Sequence, residues 1–188
     1  SPGEPFFRYM GLLLTAIVIF GFVPPVLSKS EGAFSLPLLY HVHGLIFVGW
    51  FVLFFVQASF VQRGHLQKRR LFGRLSVALA IAMLVSGYFM IRAAYALPEF
   101  RIGTNSHVAS LMFPVTDLIN FSIAYVLALH HRANGVAHKR LMLLAGILIL
   151  DPAVARLIQT IGAPFEFIPV LELGLFALLF GYDVFRLG

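Results

Sequence analysis

The chain has 188 residues, of which 60% are hydrophobic and only 12% charged, and it contains no cysteine. Ordinary soluble domains are about one-quarter charged, so this composition has too little polar surface to cover itself in water. The missing thiols exclude disulfides, iron–sulfur clusters and thiolate metal sites, and leave histidine and carboxylates as the strong ligands. The formal charge of +6 sits at the ends of apolar blocks rather than in an arginine-rich strip, which argues against nucleic-acid binding.

The apolar residues fall into six blocks, at 7–27, 39–61, 71–95, 107–130, 141–161 and 165–185. About twenty residues carry an α-helix across a hydrocarbon core of about 30 Å. The expected fold is therefore an all-α transmembrane bundle of six helices in a single domain, with the lipid bilayer as its solvent.

The first block has no small-residue cleavage site after it and reads as a retained helix rather than a signal peptide. On the second, His43, Trp50 and Gln57 recur every seven residues beside Phe47 and Phe54, a stripe that faces one side of a helix. The connection to the third block holds Arg63, His65, Lys68, Arg69 and Arg70, and that block carries Arg92 near its far end. The fourth repeats the stripe with Ser110, Asp117 and Ala124, and has Asn120 nearby. A second basic connection, 131–140, leads to the fifth block with Asp151, Arg156 and Gln159, and the sixth begins with Glu166 and Glu172.

The remaining connections carry few cations, so the positive-inside rule puts both basic loops and both termini in the cytoplasm. A bacterial inner (cytoplasmic) membrane suits this multi-pass pattern. Blocks two and three match blocks four and five as hairpins of one orientation, which would pack as a four-helix core. Duplication and the basic residues that any inward hairpin collects explain this equally well. Pro24, Pro25, Pro114, Pro152 and Pro169 lie at or inside blocks, where each removes a backbone hydrogen bond.

Ionisable groups in hydrocarbon are unfavourable and normally face a bundle interior or a wet cavity. Counted inward from the outer ends at about 1.5 Å per residue, His43 lies about 6 Å deep and Asp117 and Asp151 about 15 Å deep. Gln57, Arg92, Asp117, Asn120, Asp151, Arg156 and Glu172 are the expected polar pocket. Gln57 and Asn120 also suit ordinary interhelical hydrogen bonding, and an Asp–Arg pair can be purely structural.

His43 and His107, with His41 beside them, are the candidate ligands of a b-type haem iron near the outer surface, since bis-histidine ligation needs two imidazoles at similar depth. A metal ion on His41, His43 and His107 is the weaker version, because residues two apart on a helix diverge. The inner histidines, His65, His130, His131 and His138, suit headgroup contacts or carbonyl capping.

The run His41-Val42-His43-Gly44, then Trp50, Gln57, Arg69-Arg70-Leu71-Phe72-Gly73, His138-Lys139-Arg140-Leu141-Met142, Pro152, Arg156 and Tyr182-Asp183 resembles a group of uncharacterised bacterial six-helix membrane proteins. The resemblance implies architecture and no activity. A fainter similarity to cytochrome b561-like bundles rests on histidines near helix ends.

Three functions follow. The first is a haem-binding or quinone-linked electron-transfer component using His43 and His107. The second is a small proton-coupled transporter in which Asp117 and Asp151 exchange protons and Arg92 or Arg156 attracts an anion. The third is a non-catalytic accessory subunit or assembly factor packed against other membrane-complex subunits.

Overall fold

A computed structural model describes residues 5–28, 37–63, 66–102 and 105–187, with side chains for all of these except 24–28, 60–63, 66–70, 186 and 187. Among them are seven helices and no strand: α1 Pro5–Ser28, α2 Leu38–Arg63, α3 Leu66–Tyr95, α4 His107–His130, α5 Gly135–Ile147, α6 Asp151–Thr160 and α7 Phe167–Leu187. Five are long and apolar enough to cross a membrane, and α5 with α6 would make a sixth span, bent by 48°. His65 lies outside the described residues, as do the side chains of Pro24, Pro25, Lys68, Arg69 and Arg70.

The expected fifth helix, 141–161, is thus two helices. Proline has no N–H for the carbonyl four residues back and its ring collides with that turn. With Pro152 in this position the α5 ladder ends at Leu148 N–H to Leu144 O (3.0 Å), a tight turn follows from Leu150 to Ile147, and α6 restarts on Asp151. Pro114, by contrast, sits inside α4, which runs on unbroken. Helix α5 also starts earlier than expected, at Gly135 inside the second basic connection, because Asn134 caps the N–H groups of Val136 and Ala137. Hydropathy marks where hydrocarbon ends, not where helix ends.

The hairpins α2–α3 and α4–α5 both form, and α3 touches α4. They are not a self-sufficient four-helix core. Helix α1 packs against α2, α5 and α6, with Leu14 and Val18 fully buried. Thr15 on α1 donates to the Phe51 carbonyl of α2 (3.1 Å) as well as to its own Gly11 carbonyl (2.7 Å). The α2 stripe faces inward as its spacing implies. Trp50 stacks on Phe54 (5.8 Å between centroids) and meets Phe121 of α4 edge-on (5.4 Å), with offset and edge geometries that aromatic quadrupoles favour.

Glycine lets α1 and α6 approach closely. A Cβ on Gly21 would fall 3.0 Å from the Ala153 carbonyl carbon and 3.1 Å from its Cα, and closer still to the oxygen. Small residues at such crossings are how helices pack in lipid, where no hydrophobic force separates them from acyl chains.

Helix α7 is held by few contacts: only 6% of its span is buried, against 39% for α1. Its far end is anchored by polar and aromatic groups instead. Asp183 accepts from Arg140 Nε at 2.5 Å, and Tyr182 stacks on Phe6 with centroids 3.9 Å apart. Both charged side chains are about three-quarters buried, so losing one partner falls between the exposed and buried cases, about 1–3 kcal/mol. Arg140→Met and Asp183→Asn should each lower the melting temperature in detergent, and the exchanged pair Arg140→Asp with Asp183→Arg should recover part of the loss.

Candidate acidic site in the bundle

Asp151 owes its position to the α5–α6 break, which makes it the first residue of α6, where a carboxylate meets unpaired N–H groups. At the other end of α6 the chain reverses. Gly162, with φ of 68°, follows Ile161, and the Ala163 N–H reaches back to Ile158 O (3.0 Å) while the Gly162 N–H reaches Gln159 O (3.1 Å). This Schellman turn needs a left-handed residue, which glycine supplies without strain. It sends α7 back along α6 and carries Glu172, on the second turn of α7, down towards Asp151.

The Glu172 carboxyl lies close enough to that of Asp151 for a side-chain hydrogen bond, and Asp117 on α4 lies within electrostatic range of both. All three are half-buried. Glu172 Oε1 is itself buried without a hydrogen-bond partner among the described residues. Three carboxyl groups from three helices therefore lie near one another at the break between α5 and α6. Among the described residues no three histidine, aspartate or glutamate side chains are arranged to hold a metal ion.

Arg156 does not neutralise them. Five residues from Asp151 on one helix, it points about 140° away round the axis. Its guanidinium lies 4.6 Å from the centroid of Phe22 on α1, donates to Pro152 O (2.9 Å), and forms no ion pair among the described residues. Its charge reaches His43 on α2 instead. His43 is half-buried, with Nδ1 2.9 Å from Ser86 Oγ of α3 and its ring 6.2 Å from Phe47. Two clusters thus replace the single expected pocket.

The other expected residues lie apart. Gln57 donates to the Phe72 carbonyl of α3 (2.8 Å), an interhelical bond that fastens the hairpin. Asn120 and Arg92 are exposed on the outer faces of α4 and α3. His107 opens α4 and places Nδ1 3.2 Å from the Phe100 carbonyl, tying down the loop before it, and His41 is half-buried, with no side-chain hydrogen bond among the described residues. Of the inner histidines, His138 bonds the Ala128 carbonyl (2.7 Å) across the α4–α5 turn.

Neither Ser86 nor Phe22 was singled out by spacing. A serine in an apolar run was the available signal for the first, and nothing local marks the second. No family model, curated protein or solved structure matches the chain.

The arrangement suits proton chemistry. Three neighbouring carboxyl groups from three helices, none of them in an ion pair among the described residues, are a set between which a proton can be exchanged.

Proposed function

We propose that the chain is a proton-coupled carrier of the bacterial cytoplasmic membrane, crossing it six times with both termini inside, and that Asp117, Asp151 and Glu172 are its proton-binding groups. The observation that supports this reading is the closeness, at the break between α5 and α6, of three carboxyl groups that form no ion pair among the described residues. Acids inside a membrane commonly mark ion or proton paths, and interrupted helices at mid-depth are a recurring feature of secondary transporters. The orientation rests on the basic residues: Arg74, Arg132, Lys139 and Arg140 lie towards one end of the bundle.

Infrared difference spectroscopy of the purified protein tests proton binding directly. A protonated-carboxyl carbonyl band should shift in D2O and lose intensity in Glu172→Gln. The absence of such a band at every pH at which the protein stays folded would remove the reading.

A second reading, haem b held by His43 and His107, draws on their Nδ1 partners, Ser86 Oγ and the Phe100 carbonyl, which leave both Nε2 atoms for iron. A Soret band in the purified protein, sharpening on dithionite reduction, would favour it; colourless protein after haem supplementation would remove it.

A further inference from the structure

We propose that Arg156 and His43 form a binding site for a small oxyanion, a carboxylate or phosphate group, on an aromatic shelf made by Phe22 and Phe47. As the solute site of the carrier it rests on the proton-coupled reading; as a binding site it stands on its own geometry.

The site is assembled from four helices. Phe22 of α1 and Phe47 of α2 lie with centroids 5.6 Å apart. Arg156 of α6 covers the Phe22 ring at 4.6 Å, and His43 of α2 is fixed by Ser86 of α3 at 2.9 Å. Gly21 next to Phe22 lets α6 come this close, because a side chain there would strike the Ala153 backbone.

Guanidinium has five N–H donors in a planar fork, and Arg156 uses one on the Pro152 carbonyl. One face lies on Phe22 while the residue as a whole is exposed. The remaining donors have no carboxylate partner among the described residues. The His43 Nδ1–H donates to Ser86 Oγ, whose own hydroxyl is directed to the Met83 carbonyl, so Nε2 donates to a bound anion once the ring takes up a second proton. A planar fork backed by an aromatic face and flanked by an imidazole suits bidentate capture of an oxyanion rather than of a cation or sugar. Exposed arginines near helix ends also reach lipid phosphates, so the same chemistry has two sources, a free anion or a phospholipid headgroup.

Inorganic phosphate is the probe, followed by phosphorus NMR line broadening with the full chain in lipid-free maltoside micelles. The wild type should broaden the phosphate line in a saturable way. Arg156→Gln should weaken binding about tenfold or more, and His43→Asn several-fold, as loss of charge-assisted hydrogen bonds implies. If phosphate does not bind but phosphatidylglycerol stabilises the wild type against heat and not Arg156→Gln, the site stands with the headgroup as its ligand. No response to either, or an equal response in wild type and in both variants with unchanged gel-filtration profiles, would overturn it. The Asp151→Asn, Glu172→Gln protein should still bind the anion, so failure of the carrier reading is separately visible.

Discussion

Replacing Asp151 with Asn and Glu172 with Gln together should reduce proton uptake into proteoliposomes under an imposed pH gradient to the leak of empty liposomes, a loss on the order of a hundredfold. The two amides keep the size and hydrogen-bonding capacity of the acids but cannot release a proton. Fold disruption is therefore separable from loss of chemistry by elution profile and melting temperature. Each single variant leaves two acids and should lose less. Asp117→Asn should lose the least, since Asp117 acts on the other two through space and is not placed in a shared side-chain hydrogen bond. Undiminished uptake by the folded double variant would end the carrier reading.

The largest structural effect should come from Gly21→Leu. The atoms that a Cβ would meet belong to the Ala153 backbone, which cannot rotate away, so α6 must shift bodily. Overpacking costs about 1–3 kcal/mol in ordinary cores, and displacing a whole helix lies at or above the top of that range. Shifting α6 also moves Asp151 away from Glu172 and Arg156 off Phe22. Gly87→Ala is the informative contrast, because its Cβ would meet Leu118 Cδ1 at 2.9 Å, the far end of a side chain that can change rotamer. Gly49→Ala, with nothing within 4 Å, should be close to neutral. Melting followed by fluorescence of Trp50, the one tryptophan in the chain, ranks the three; equal melting temperatures would show that the α1–α6 crossing tolerates bulk.

Much of the bundle was legible from block length, because a lipid solvent forces each spanning segment to satisfy its own backbone. The seven-residue spacing of His43, Trp50 and Gln57 correctly marked an inward face, since heptad spacing and helix pitch nearly coincide. Pro152 announced a kink, yet whether proline bends or breaks a helix depends on the packing around it: Pro114 lies within continuous α4 while α5 stops. The central place of α1 was not legible, for an apolar helix with few polar residues looks the same facing lipid or core. Arg156 showed the same difficulty at the level of the site. Sequence put it near Asp151, but the angle between residues five apart turned it towards α1 and α2, which only the tertiary arrangement could reveal.

The carriage of Glu172 to Asp151 by the Gly162 turn is the feature on which the functional account stands. Because the chain has no cysteine, paired thiols can be introduced without background. Asp151→Cys with Glu172→Cys, treated in native membranes with a short bifunctional thiol reagent, should cross-link as efficiently as the reference pair Arg140→Cys with Asp183→Cys, whose parent side chains lie 2.5 Å apart. Efficient linkage of the reference pair with none between positions 151 and 172 would contradict the account.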